Sequence, residues 1–254
     1  MKKLLDSDRK IRLIELFGGI GTQAMALERM GVDFEHYRLV EFDKYPVASY
    51  NAIHGTDFKP LDISEIHIDD LGIKKRDKYQ YIVTFSFPCQ DLSQAGHMAG
   101  MDEGSGTRSS LLWEVGRILR EGYEKGRNHG DTALYLPDVL VMENVTQVHS
   151  RKNIKNFEKW LNVLSSLGYT TKYADMNAKD FGVPQNRNRT FAVSWLDKDR
   201  DFIFPEPIPL EVSMKDCLEP EDEVDEKFYI RNERSEKLIN ELKEKYGEHI
   251  DEIL

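Results

Sequence analysis

Residues 11–21 read Ile-Arg-Leu-Ile-Glu-Leu-Phe-Gly-Gly-Ile-Gly, an apolar run of strand length, Ile11 to Phe17, that empties into a cluster of glycines. Thr22 to Met30 then carries a helical pattern that stops at Gly31, a residue suited to the left-handed cap of a helix. Strand, glycine turn and helix together form the opening unit of an α/β sheet, in which missing Cβ atoms would let a ligand approach backbone amides. Taken alone, the turn Phe17-Gly18-Gly19-Ile20-Gly21 is equally well explained as a tight structural corner.

Working outward, apolar runs of strand length recur at Tyr37 to Val40, Tyr81 to Phe87, Val139 to Met142 and Thr190 to Ser194. Helical faces lie between them, one through Leu111, Leu112, Val115, Ile118 and Leu119, another through Phe157, Trp160, Leu161, Leu164 and Leu167. Strands alternating with helices predict right-handed crossovers and an α/β fold with a doubly wound, mainly parallel sheet. Ligands of such sheets bind beyond the carboxyl ends of the strands. Between Asp91 and Ser109 no periodicity exists, and Gly96, Gly100, Gly104 and Gly106 give the segment the character of a mobile lid. After Trp195 the series Pro205, Pro207 and Pro209 interrupts regular structure, before a helical pattern through Leu238, Leu242 and Tyr246. The expected division is one domain over residues 1–200, followed over 201–254 by an acidic linker and the start of a small, incomplete domain.

With 254 residues, 40% of them hydrophobic and 31% charged, the chain can bury one sizeable core. No charged segment followed by an apolar run opens it, and no stretch reaches the roughly 18 uncharged residues of a membrane span, so a cytoplasmic location is expected. Cys89 and Cys217 are the two cysteines; they cannot build a disulfide framework and give no zinc signature, and the sequence assigns no metal ligands. The net charge of -10 is unevenly spread, because residues 1–200 carry 28 basic and 28 acidic residues while 201–254 carry 7 and 17. A neutral body permits contact with a polyanion without advertising it.

Five further segments carry chemistry. Glu41 lies about 20 residues beyond the glycines, where an acid typically accepts hydrogen bonds from ribose hydroxyls, and no phosphate-binding Lys-Ser/Thr accompanies it. Asp62, just before Ile63, is placed to accept from an adenine amine, or else to cap a helix. Phe87-Pro88-Cys89-Gln90 ends a strand immediately before the glycine-rich segment, where a thiolate near a helix N-terminus would be favoured by the dipole; an inert buried cysteine is the alternative. Glu143-Asn144-Val145 ends the strand beginning at Val139, on the same sheet edge as Cys89, where a carboxyl group could hold or deliver a proton, or serve in a structural ion pair. Gln185-Asn186-Arg187-Asn188-Arg189 precedes the last strand, and an extended run would bring Arg187 and Arg189 to one side, to grip a base carbonyl and a phosphate; a solvated polar turn would read the same way.

In this order, these segments resemble the bacterial DNA (cytosine-5) methyltransferase family, with correspondence from Ile11 to about Tyr229. The resemblance implies a Rossmann-like fold dependent on S-adenosylmethionine, with residues 1–200 as the catalytic domain and S-adenosylhomocysteine as product. It implies that Phe17, Gly18, Gly19, Ile20, Gly21, Glu41, Phe42, Asp62, Ile63 and Phe87 bind the cofactor. Cys89 would attack cytosine C6, Glu143 would contact N3 and the exocyclic amine, and Arg189 would hold O2 with Arg187 nearby. Gln90, Ser93 and Arg108 would meet the DNA, a duplex from which the target base is flipped, and the biological setting would be restriction-modification or phage DNA protection.

Members of this family continue into a target-recognition domain and further C-terminal motifs. Phe204 to Tyr229 resembles the entrance to that domain, and the expectation is either a truncated product or a second polypeptide that supplies the rest. Two rival functions accompany this reading. One branch of the family with the same Pro-Cys-Gln chemistry methylates transfer RNA, although its Cys-Phe-Thr motif is not seen here. A cofactor-binding subunit with relic motifs is the other, and intact Cys89, Glu143 and Arg189 argue against it.

Overall fold

Alternation along one strand settles how the sheet is covered. Ile11 and Leu13 pack into one apolar cluster and Ile14 and Leu16 into another on the opposite face, so both faces of the strand are buried. The computed structural model describes residues 2–92, 100–229 and 232–247. By its contacts the chain forms two units, Met1–Leu210 and Glu211–Leu254.

The first unit contains, in chain order, β1 (Lys2–Lys3), β2 (Lys10–Leu16), α1 (Thr22–Arg29), β3 (Phe34–Val40), α2 (Lys44–His54), β4 (Tyr79–Phe85), α3 (Leu112–Asn128), β5 (Val139–Val145), α4 (Ile154–Ser166), β6 (Thr170–Asn177), β7 (Asn188–Trp195) and β8 (Arg200–Asp201). Six strands make one sheet in the order β3-β2-β4-β5-β7-β6, and β1 pairs with β8. The pairs β2–β3, β2–β4 and β4–β5 are parallel, whereas β7 runs antiparallel to both β5 and β6. This is a Rossmann-like α/β fold with helices on both faces, as the alternation of strands and helices predicts.

The larger cluster receives Trp113, Val115, Ile118 and Leu119 from α3 and Phe157, Trp160 and Leu164 from α4. Trp160 has no exposed surface and meets the Phe85 ring edge-on at 5.9 Å between centroids. Truncating such a residue to alanine costs about 3–5 kcal/mol. The opposite face is closed by Ala24 of α1 with Ile82, Val139, Val193 and Trp195.

Two elements escape the sequence patterns. Helix α2 carries Pro46 in its first turn, where the missing N–H costs nothing, and Asp43 caps it by accepting from Tyr45 N at 2.9 Å. Strand β6 is an edge strand of mostly exposed and half-buried residues, Thr-Thr-Lys-Tyr-Ala-Asp-Met-Asn, with no apolar run to announce it. The second unit holds short turns of 3-10 helix and α5 (Glu233–Tyr246), which Asn232 caps by accepting from Ser235 N at 3.0 Å and which buries none of its residues.

Candidate active site

Strand register fixes the floor of the site. Leu16 is level with Val40 on one side and Phe85 on the other, and Phe85 is level with Met142. The next residue on each strand, Glu41, Phe17, Ser86 and Glu143, therefore falls in one row along the carboxyl edge of the sheet. All four line a single cavity of about 570 Å³. The chain leaves β2 outward to β3 and returns across it to β4, so the loops after β2 and β4 part at this edge and open the crevice.

At one end of the row the backbone is drawn tight. Phe17 adopts φ 55°, a left-handed conformation unusual for a non-glycine residue, while its N–H donates to the Val40 carbonyl at 2.7 Å. A Cβ on Gly18 would stand 2.4 Å from the Leu39 side chain, so only glycine lets the turn pass this close to β3. The Gly19 N–H donates to Glu41 Oε2 at 3.2 Å and the Asp43 N–H to Glu41 Oε1 at 3.0 Å, which orients the carboxylate with main-chain donors alone. Phe42, Asp62 and Ile63 complete this end of the wall. Asp62 also caps the turn Ile63–Glu65, accepting from Ser64 N at 2.9 Å, which is the capping alternative of the sequence reading. Gly18, Gly19, Ile20 and Gly21 shape the turn without lining the cavity itself.

The loop after β4 carries Phe87, Pro88, Cys89 and Gln90 onto the wall. Its carbonyls are pinned from two elements: Asn144 Nδ2 donates to Phe87 O at 2.9 Å, and Ser109 Oγ donates to Pro88 O at 2.7 Å. The Ser109 N–H in turn donates to Asp91 Oδ2 at 3.1 Å. Cys89 is half-buried, a free thiol resting against the core rather than sealed within it. A turn follows it, closed by Leu92 N donating to Cys89 O at 3.0 Å. Ser93, together with 94–99 of the expected lid, lies outside the described residues. In the described remainder of that segment Gly100, Met101 and Ser109 are buried, the Met101 carbonyl accepting from Trp113 Nε1 at 2.8 Å, while Asp102 to Gly106 are exposed. Arg108 opens the 3-10 turn Arg108–Leu111 and lines the cavity.

At the other end stand Glu143 on β5 and Arg189 on β7. Glu143 faces Phe191 and Val145 faces Arg189 in the antiparallel ladder, so the two charged residues are diagonal neighbours on one face of the sheet. Arg189 Nε lies 3.0 Å from Glu143 Oε1. Arg187 also lines the cavity, but not by strand alternation. The run Gln185 to Arg187 is coiled, with Arg187 N donating to Gln185 O at 2.9 Å and to Asn177 Oδ1 at 3.0 Å, and the strand begins at Asn188. The expected extended run is therefore a turn that nonetheless delivers both guanidiniums. Leu61, Ser64, Ser86 and Leu111 are wall residues the sequence did not single out, and Ser109 gave no signal at all.

Behind the glycine turn, Glu15 is fully buried and accepts from the Tyr50 hydroxyl at 2.6 Å. Burial pushes its carboxyl above the ordinary carboxylate value, against the hydrogen bond from Tyr50.

The family profile described as C-5 cytosine-specific DNA methylase matches residues 11–253. The type II methyltransferase M2.ScrFI of Lactococcus lactis subsp. cremoris is 36% identical over 270 residues, covering 87% of this chain and 71% of the relative. The orphan methyltransferase M.SssI of Spiroplasma monobiae is 32% identical over 250 residues, covering 78% of this chain but 62% of the relative. Among solved structures, the methyltransferase EhMeth of Entamoeba histolytica superimposes with a TM-score of 0.64 at 18% identity, over 88% of this chain and 63% of that one, a likeness of fold.

Proposed function

This chain belongs to the C-5 cytosine-specific DNA methylase family, and from that premise we propose that it transfers a methyl group from S-adenosylmethionine to C5 of cytosine in DNA. The observation that carries the proposal is the sharing of one cavity by the Cys89 thiol, the Glu143–Arg189 pair and the Glu41 carboxylate. The chain spans 71% and 62% of the two relatives above, so a methylation reaction by these residues alone is part of the proposal.

The donor set at the glycine turn fits an adenosine. The Glu41 oxygens each accept one amide and keep a lone pair for ribose hydroxyls, Asp62 retains a free oxygen, and Phe17, Ile63 and Phe87 offer apolar surface for a purine. When bound, S-adenosylmethionine supplies an electrophilic methyl on a sulfonium.

C5 of cytosine is a poor nucleophile until addition at C6 makes the ring an enamine. In the proposed reaction Cys89 Sγ forms a bond to C6, and the displaced ring electrons are stabilised by Glu143 at N3 and the exocyclic amine and by Arg189 at O2. C5 then accepts the methyl group. Loss of the C5 proton to a base expels Sγ from C6 and restores the aromatic ring. The target must leave the base stack for the thiol to reach C6; Gln90, Ser93 and Arg108 are assigned to the DNA around it, and Arg187 stands with Arg189 at the reacting end. A role in restriction-modification or phage protection follows from the same assignment. The relatives carry their additional sequence in the same chain, which gives a second polypeptide no support.

The test is adduct capture. In DNA containing 5-fluorocytosine the C5 substituent cannot leave as a proton, so elimination stops and the protein stays bonded to C6. With S-adenosylmethionine and such DNA of mixed sequence, a complex stable to denaturing electrophoresis is expected from the wild-type chain and not from Cys89→Ala. A Cys89→Ala protein that still forms the complex, or a wild-type protein that transfers labelled methyl without ever forming it, overturns the covalent route.

A further inference from the structure

Three side chains outside the cavity converge on the far side of the glycine turn. Glu28 comes from the last turn of α1, His36 from β3 and His54 from the end of α2, and one ligand atom of each lies within 4.8 Å of the other two. Glu28 Oε1 is 3.0 Å from His54 Nδ1 and 3.5 Å from His36 Nε2. Donor atoms of a tetrahedral zinc site with bonds of about 2.1 Å stand about 3.4 Å apart, so these separations need only small adjustments. None of the three lines the cavity.

The hydrogen bonds on the remote side of each imidazole set its tautomer. His54 Nε2 sits 3.1 Å from the Ile20 carbonyl, which can only accept, so that nitrogen carries a proton. The Tyr50 hydroxyl donates to Glu15 and lies 2.8 Å from His36 Nδ1, so its oxygen accepts from His36 Nδ1–H. The remaining ring nitrogens, Nδ1 of His54 and Nε2 of His36, both face the same carboxylate oxygen of Glu28. Ligating histidines in metalloproteins are oriented in this manner, with the distal N–H donated to a carbonyl or a polar relay. The His54 side chain is completely buried, while Glu28 is exposed and gives an ion and a water ligand access.

We propose that Glu28, His36 and His54 form a structural site for a zinc-class divalent cation that ties α1, β3 and α2 together beneath the glycine turn. Two imidazoles and one carboxylate suit zinc and exclude magnesium, which seeks oxygen ligands. Through His54 the ion holds the Ile20 carbonyl, and through His36 and Tyr50 it braces Glu15 on β2.

The experiment is a zinc titration of chelator-treated protein by calorimetry, in a Cys89→Ser background that removes the cavity thiol as a competing ligand, with cobalt absorption reporting coordination geometry. One equivalent with a tetrahedral cobalt spectrum is expected. Glu28→Gln, at an exposed position, should keep its zinc-free melting temperature and bind at least about 100-fold more weakly, the upper figure for loss of even an outer partner of a ligand. Glu28→His replaces one ligand by another and should restore binding. No binding by the parent protein, or an affinity equal to the parent's in both Glu28→Gln and His36→Gln, overturns the site and leaves a plain carboxylate–imidazole ion pair.

Discussion

Glu41 and Glu143 occupy opposite ends of the same row, yet they are held by different means. Glu41 accepts from two main-chain amides within its own neighbourhood, Gly19 and Asp43, whereas Glu143 is met by a guanidinium delivered from another strand. An amide-held carboxylate is fixed whenever the glycine turn is formed, and its charge is left free for neutral hydroxyls. A carboxylate paired with arginine answers to whatever else that arginine binds. On the proposed function, the contrast separates a fixed cofactor end from a reacting end whose polar partners can re-pair around a base.

The sharpest way to break this division is at the nucleophile. Cys89→Ala should lower methyl transfer by a factor on the order of 10⁴ or more, without changing the affinity for S-adenosylmethionine measured by calorimetry. A parallel loss of cofactor affinity would merge the two ends. Next in size, Glu143→Gln should reduce kcat by about 10²–10³-fold, as expected for removal of one group that stabilises developing charge, with an unchanged cofactor Kd. Glu41→Ala should show the opposite pattern, a cofactor Kd raised about 10–100-fold, the value of charge-assisted hydrogen bonds, and a kcat at saturation within a few-fold of wild type. Should both carboxylate variants act on kcat alone, the division fails.

Two smaller effects sharpen the picture. Asn144→Ala leaves the Phe87 carbonyl buried without its donor, which should cost about 1–3 kcal/mol in stability and lower kcat through a displaced Cys89 loop; a melting curve and a rate measurement together detect it. Glu15→Gln should alter stability least. Because burial raises the Glu15 carboxyl in the folded chain, its protonated form is favoured there, so the wild type is not penalised at acid pH and loses stability as pH rises through the raised value. The melting temperature of Glu15→Gln relative to wild type should therefore increase from acid to neutral pH, and a constant difference would contradict the burial assignment.

The sheet and the row of cavity-lining residues were legible in the sequence because each strand that carries the row is an apolar run followed closely by polar residues or glycines. The runs Ile11 to Phe17 and Tyr81 to Phe87 overshoot strands that end at Leu16 and Phe85, and the run Val139 to Met142 stops short of a strand that ends at Val145. What escaped notice depends on contacts between distant segments. Strand β6 is polar because it forms an edge, α2 hides behind Pro46, and the turn at Gln185 to Arg187 is imposed by Asn177 from the neighbouring strand. Ser109, which pins the cysteine loop, has no local pattern to distinguish it from other serines. Glu28, His36 and His54 meet only after α1, β3 and α2 have folded, so no spacing rule draws attention to them.

The aligned register also makes the cavity floor a ruler. Neighbouring strands are spaced about 4.8 Å apart, so the three steps from Glu41 across Phe17 and Ser86 to Glu143 measure about 14 Å. A single molecule joining an adenosine-like head to a pyrimidine-like head must bridge about that span to satisfy both carboxylates, and tethers much shorter or longer will engage one end at the expense of the other.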